Sequence, residues 1–242
     1  MIRPYKIADR IIRIESVYDR VHDYCRDYVY EGGDAPDIEV YITQEDIAFE
    51  VAQSEEPYRS MPEYLEELAV YRQIAEKMPY FDTFLFHGSA IAVDNEAYLF
   101  TAKSGTGKST HSRLWCDLLG DKAVMVNDDK PLIRSAENKT IIYGTPYNGK
   151  HRRGSNIAVP LKAICVLKRG EENKIRKITK DEVFPYLLQQ TYRPADKTAY
   201  LLTIKALDRL THNVAFYMLE CNMDISAAEV SYNYMRRQGN ED

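Results

Sequence analysis

The chain has 242 residues, 45% of them hydrophobic and 29% charged, and 32 lysines and arginines against 37 acidic residues give a net charge of −5. That balance describes a globular protein and excludes a disordered polyelectrolyte, a collagen-like repeat and a membrane bundle. A mildly acidic chain also lacks the dense positive charge that sequence-independent nucleic-acid binding requires, so no nucleic-acid partner is expected.

Residues 1–80 are rich in tyrosine and acid and carry no catalytic motif. The break Glu31-Gly32-Gly33-Asp34-Ala35-Pro36 interrupts them. Ile38–Ile42 and Ile47–Val51 alternate enough to predict two strands joined by the polar turn Thr43-Gln44-Glu45-Asp46. A helix is predicted over Met61–Met78, where Tyr64, Leu65, Leu68, Ala69, Tyr71 and Ile74 recur at helical spacing and Pro62 suits the first turn. The tyrosines read as amphipathic surface and core filling rather than as an aromatic platform for a ligand.

The texture changes near residue 80, which sets the expected division into an N-terminal α+β region (1–80) and a core (81–242). Phe84-Leu85-Phe86, Ile91-Ala92-Val93 and Ala97–Thr101 are apolar runs of strand length, the last two separated by the turn Asp94-Asn95-Glu96. An amphipathic helix follows over about Lys108–Leu119, with Leu114, Trp115, Leu118 and Leu119 on its apolar face and Gly120 at its C-terminal end. Ala123–Val126 is a further apolar run. Strands are expected at Leu132-Ile133, Thr140–Tyr143, Leu161–Leu167 and Val214–Leu219, with helices over Asp181–Gln190, Lys197–Leu210 and Ser226–Arg237. Strands and helices interleave without a repeat, so the fold class is α/β.

The longest apolar run, Val214–Leu219, is far short of the roughly 20 residues of a membrane helix. The start Met1-Ile2-Arg3-Pro4 lacks the basic-then-apolar layout of a secretory signal. Cys25, Cys116, Cys165 and Cys221 stand at least 49 residues apart, without metal-knuckle or CxxC spacing, and read as reduced packing thiols. These features predict a cytoplasmic protein with no membrane partner.

The chemistry concentrates between the strand ending at Thr101 and the helix starting near Lys108. Ala102-Lys103-Ser104-Gly105-Thr106-Gly107-Lys108-Ser109-Thr110 matches the phosphate-loop pattern G-x-x-x-x-G-K-[ST], with Ala102 in place of the first glycine. Small residues let backbone N–H groups curl around phosphate oxygens, and the following helix points its positive end at the same anion. Ser104–Thr110 are therefore the candidate nucleotide-binding residues. Lys108 is placed to reach the outer phosphates, and the Ser109 hydroxyl to hold Mg²⁺. Twenty residues beyond Lys108, the run Val124-Met125-Val126 ends in Asn127-Asp128-Asp129. Of two adjacent carboxylates, one can bind metal while the other accepts a proton from a hydroxyl nucleophile. Between Gly144 and Asn156 lies a loop containing Lys150, His151, Arg152 and Arg153, able to neutralise charge on a transferring phosphoryl group.

His87-Gly88, the phosphate loop and Asp128-Asp129 together resemble the HPr kinase/phosphorylase family, which shares its nucleotide-binding core with phosphoenolpyruvate carboxykinases. The resemblance spans about residues 84–170; Arg152–Val159 is similar to an Arg-Gly-Asn-Ala-Val segment of the same family. It implies a mixed, twisted sheet with the phosphate loop between a hairpin strand and a helix; residues 1–80, which carry no mark of the family, add a small N-terminal α+β appendage. It further implies ATP or another nucleoside triphosphate, Mg²⁺, a homo-oligomer, and transfer to a hydroxyl, a serine of a small protein or peptide or a metabolite. By carry-over Asp129 is the general base, Asp128 with Ser109 the metal side, His87 an orienting residue, and Arg153 and Lys150 the loop cations. Two alternatives stay open: a nucleotide-responsive binding or maturation module without catalysis, and a small carboxykinase-like phosphotransferase.

Overall fold

A computed structural model describes residues 1–149 and 151–237. The chain opens with a three-stranded sheet that the sequence does not announce. Strands β1 (Ile2–Ile7) and β2 (Arg10–Glu15) form an antiparallel hairpin. Its two turn residues, Ala8 and Asp9, both take positive φ, the geometry that matches strand twist in tight hairpins. After the short helix α1 (Arg20–Tyr24), strand β3 (Ile38–Tyr41) joins β2 in parallel.

The second strand expected here, Ile47–Val51, is instead part of helix α2 (Gln44–Gln53). The polar segment read as a turn is the helix start. The Thr43 hydroxyl accepts from the Asp46 N–H at 3.2 Å, and the Asp46 carboxylate accepts from the Thr43 N–H at 3.0 Å, a reciprocal capping box. Helix α3 (Pro62–Lys77) falls where it is expected, with Pro62 in its first turn. Arg72 of α3 bonds Asp46 and Glu50 of α2 at 2.8 and 2.7 Å. Val70, Tyr71, Ile74 and Ala75 of α3 pack with Tyr5, Ile7, Ile12 and Ile14 of the hairpin. The same apolar cluster continues into Leu85, Leu132, Tyr143 and Tyr147, so the first 80 residues share a core with strands far along the chain.

The remaining elements, in order, are β4 (Thr83–Leu85), β5 (Ser89–Val93), β6 (Glu96–Thr101), α4 (Lys108–Leu119), β7 (Ala123–Asn127), β8 (Leu132–Ala136), β9 (Lys139–Tyr143), β10 (Ala158–Arg169), β11 (Lys174–Lys177), α5 (Lys180–Gln190), α6 (Lys197–Asn213), β12 (Ala215–Cys221) and α7 (Ile225–Arg237). Among the described residues their strands form one nine-stranded sheet in the order β4-β8-β9-β10-β6-β5-β7, with β12 also paired to β10 and β11 at the far side of β12. The sheet is mixed, as expected: β6 and β12 flank β10 in parallel, while the other ladders are antiparallel. Strand β10 curls it. Residues 158–160 pair with β9, the register shifts between Leu161 and Ala163, and the rest runs between β6 and β12.

Strand β6 is buried on both faces, which explains its nearly continuous apolar sequence. Ala97 and Leu99 face the cluster under α5 and α6, while Tyr98 and Phe100 face the one under α4 and α7. The four cysteines are free, Cys25 and Cys165 buried and the other two partly so. Among the described residues no helix is long and apolar enough to cross a membrane.

Candidate functional site

Two tight turns aim the phosphate-loop segment. Strands β5 and β6 close at Asp94-Asn95, both at positive φ, and β6 then runs through the core to Thr101. Ala102 follows, buried and outside the positive-φ residues, so alanine is unstrained where the pattern has glycine. Gly105 at φ +75° and Gly107 at φ +121° hold backbone conformations that L side chains rarely adopt. A Cβ built on either would meet nothing within 4 Å, so these glycines serve the chain's path and leave open space above it. Gly107 is the N-cap of α4 and offers no side-chain acceptor, which leaves the first N–H groups of the helix for an external anion. Lys108 is buried and its ammonium donates to the Ala102 carbonyl at 3.1 Å. Burial lowers its pKa, and the nearby carboxylates of Asp129 and Asp128 oppose that shift.

His87 and Gly88 sit where β5 begins. Gly88 is required by close approach: a Cβ there would lie 2.7 Å from Leu99 Cδ1 and 3.0 Å from the Phe100 carbonyl. The His87 N–H donates to the Gln190 carbonyl at 2.8 Å and the Gly88 N–H to the Asp129 carbonyl at 3.0 Å, which fixes the pair between α5 and the end of β7. The His87 ring nitrogen Nε2 stands 3.5 Å from Asp129 Oδ1. Burial, and after it the Lys108 charge, lower the imidazole pKa against the pull of Asp129, so at neutral pH the contact joins a neutral ring to a carboxylate.

The acidic pair is held by residues the motif does not contain. Asn127, wholly buried at the end of β7, accepts on Oδ1 from the N–H groups of Asp129 (2.9 Å) and Lys130 (2.7 Å), and donates from Nδ2 to the Thr145 hydroxyl (2.9 Å). Ser89 of β5 donates its hydroxyl to Asp128 Oδ1 at 2.7 Å. The Lys130 carbonyl receives the Tyr71 hydroxyl of α3 (2.8 Å) and the Thr145 hydroxyl (2.9 Å). The signal that could have found Asn127 is its place at the end of an apolar run, just before two acids, where a short amide side chain caps a turn.

The basic loop is pinned to the same strand end. The Ser155 N–H donates to the Val126 carbonyl at 3.2 Å, and a Cβ on Gly149 would lie 3.4 Å from Asp129 Cβ. Its described cations take different places. Arg152, at φ +47°, lays its guanidinium 3.5 Å from the centre of the Tyr24 ring. Arg153 is exposed, with its charge and that of Asp128 both acting on the Cys116 thiol of α4. Lys150 lies outside the described residues.

A cleft of about 630 Å³ opens over these groups. One wall is Ser109, Asp128, Asp129 and Lys130; the loop adds Tyr147, Asn148, Gly149 and His151; the opposite wall comes from the first 80 residues, with Arg20, Tyr24, Tyr58, Met61, Tyr64, Glu67, Leu68 and Tyr71. The tyrosines thus divide. Tyr5 and Tyr28 fill the core, Tyr71 belongs to the core and also lines the cleft, and Tyr24, Tyr58 and Tyr64 line the cleft outside the apolar cluster.

No family model and no curated protein matches the chain. Among solved structures, that of the Hpr(Ser) kinase/phosphatase from Coxiella burnetii is similar over 64% of this chain and 99% of that chain, at 13% identity and a TM-score of 0.37. At that level the likeness is distant, and what the site can do rests on its own residues.

Proposed function

We propose that the chain binds a nucleoside triphosphate such as ATP together with Mg²⁺, and transfers phosphate to a hydroxyl group of a small protein, peptide or metabolite. One observation carries this reading. Ser109, in the first turn of the uncapped helix α4 and next to Lys108, lines the same cleft as Asp128 and Asp129. A phosphate-binding turn and a proton-accepting carboxylate side by side at one cleft are what phosphoryl transfer to a hydroxyl needs.

The donor set fits the cofactors. The N–H groups of Gly107–Ser109 and the Lys108 ammonium suit phosphate oxygens. The Ser109 hydroxyl and the Asp128 carboxylate are the hard oxygen donors that Mg²⁺ prefers. Among the described residues no three or more His, Cys, Asp or Glu side chains gather to hold a metal ion. Mg²⁺ commonly takes one or two protein oxygens and fills its shell with phosphate and water, so the sparse set suits it. ATP supplies the phosphoryl group when bound. Asp128, already engaged by Ser89, has the metal role, and Asp129, facing the cleft beside an uncharged His87, takes the hydroxyl proton.

Calorimetry with Mg-ATP on the parent and on Lys108→Ala tests the first half. Loss of the ammonium removes charge-assisted contacts of about 1.5–3 kcal/mol, a drop of roughly tenfold to a hundredfold in affinity. The second half is read from γ-labelled ATP and hydroxyl acceptors: Asp129→Asn should keep nucleotide affinity and lose about 10²–10⁴ in transfer rate. No heat with any nucleoside triphosphate sinks the phosphate site. Transfer by the amide variant at the parental rate sinks the base assignment.

A further inference from the structure

The acceptor wall of the cleft has a chemistry of its own. The rings of Tyr58 and Tyr64 lie 5.2 Å apart. The Arg20 guanidinium stands 5.9 Å from the Tyr64 ring and 5.4 Å from Tyr24, and Arg152 covers Tyr24 at 3.5 Å. Tyr58, Tyr64, Arg20, Tyr24 and Arg152 therefore make one continuous array of rings and guanidinium planes across from Asp129. The array is built rather than accidental, since Glu67 is buried and fixes Arg20 through Oε2–Nε at 2.8 Å.

Internal packing does not account for it. Tyrosines used as core in this region, Tyr5, Tyr28, Tyr71 and Tyr147, belong to the apolar cluster under the small sheet; Tyr24, Tyr58 and Tyr64 do not. Tyr58 and Met61 stay 44% and 46% exposed at the cleft. Asn148, another residue lining this space of about 630 Å³, has a buried amide oxygen with no hydrogen-bond partner among the described residues. That volume is typical of a small-molecule site. Exposed ring faces and guanidinium planes favour flat π-systems by offset stacking and cation–π attraction.

Resting on the phosphoryl-transfer reading, we infer that the acceptor is a small molecule whose hydroxyl is carried on a planar aromatic body, the ring seated against Tyr58 and Tyr64 and the hydroxyl turned to Asp129.

The test compares tyrosinol with leucinol, two amino alcohols that differ in the ring, by saturation-transfer NMR on the full chain. Tyrosinol should bind at least about fivefold more tightly than leucinol, the value of one good aromatic contact. Tyr64→Leu should lose that preference and Tyr64→Phe should keep it. Tyr58→Leu, at an exposed position, provides a second variant if Tyr64→Leu proves unfolded. Equal binding of the two alcohols, or a preference that survives both leucine variants, overturns the inference. So does phosphorylation of a folded serine-bearing protein that tyrosinol fails to inhibit. Mg-ADP calorimetry on the same samples separates the two readings. Heat with Mg-ADP but no ring preference defeats the aromatic acceptor alone. Ring preference without Mg-ADP binding defeats the kinase reading and with it the acceptor role.

Discussion

Replacing Asn127 by alanine tests whether the acidic pair is held by design of the fold. The side chain is fully buried and its amide orientation is fixed, because only the oxygen can accept from both the Asp129 and Lys130 N–H groups while the nitrogen donates to Thr145. Alanine leaves two main-chain donors and the Thr145 hydroxyl without that partner. Each stranded group costs about 1–3 kcal/mol when dry, and the turn is only partly buried, so we take the lower half of the range and expect a total near 3 kcal/mol. That is roughly a hundredfold shift in the folding equilibrium. Urea denaturation should show it as a lower midpoint at unchanged slope. Thr145→Val removes the acceptor of the amide nitrogen and the hydroxyl that donates to the Lys130 carbonyl, which keeps its Tyr71 partner, and should cost less, about 1–2 kcal/mol. Because the same bonds aim Asp128 and Asp129, transfer should fall more steeply in Asn127→Ala than nucleotide affinity does. An Asn127→Ala protein as stable as the parent, transferring at the parental rate, would show that the turn stands without its amide.

Gly107→Ala places a side chain at φ +121° and should cost about 1–3 kcal/mol in thermal unfolding, although a Cβ there meets no neighbour; an unchanged midpoint would mean that the backbone relaxes freely. Tyr71→Phe deletes the hydroxyl that donates to the Lys130 carbonyl at 2.8 Å, and should cost about 1 kcal/mol by denaturant titration, with no change expected in secondary structure by circular dichroism. His111, buried between α4 and α7, has its pKa pushed down from 6.5 to about 4 by burial. The unfolded chain then binds the extra proton first as pH falls, so the stability this residue allows is full above about pH 6.5 and declines towards pH 4, by about 3 kcal/mol in the limit. The difference in unfolding free energy between the parent and His111→Phe should carry that slope; a difference flat between pH 7 and 4 would refute it.

What the sequence makes legible is local. The loop Ala102–Thr110 shows itself because residue type, strand before and helix after all lie within one continuous stretch, from Glu96 to Leu119. The helix boundary at Lys108 and the strand ending at Asn127 are where periodicity and the acidic stop put them. The error at Ile47–Val51 has an equally local cause. A five-residue apolar alternation cannot outweigh a capping box, and Thr43-x-x-Asp46 reads as a turn unless the acid is recognised as the reciprocal acceptor. Strands β1 and β2 stay hidden because Pro4 and alternating charges mask Tyr5, Ile7, Ile12 and Ile14, which become a face only when α3 arrives from sixty residues away.

The site's second half is illegible for a different reason: it is made by juxtaposition. The polar groups that hold the acidic turn come from β5, β7, α3 and the loop after β9, and each is an unremarkable Ser, Asn, Tyr or Thr in its own stretch of sequence. The same holds for the cleft. Tyr24, Tyr58 and Tyr64 are indistinguishable by spacing from the tyrosines that fill the core, and only the packing of α3 against the small sheet, with Tyr71 bonded across to Lys130, sets them opposite Asp129. It follows that the first 80 residues are coupled to the chemistry through α3. A change that loosens α3 from the small sheet should weaken the acceptor side of the proposed reaction before it touches the phosphate loop, whose own supports, β6, α4 and the Trp115–Ser231 bond to α7 at 2.8 Å, pack in a separate part of the core.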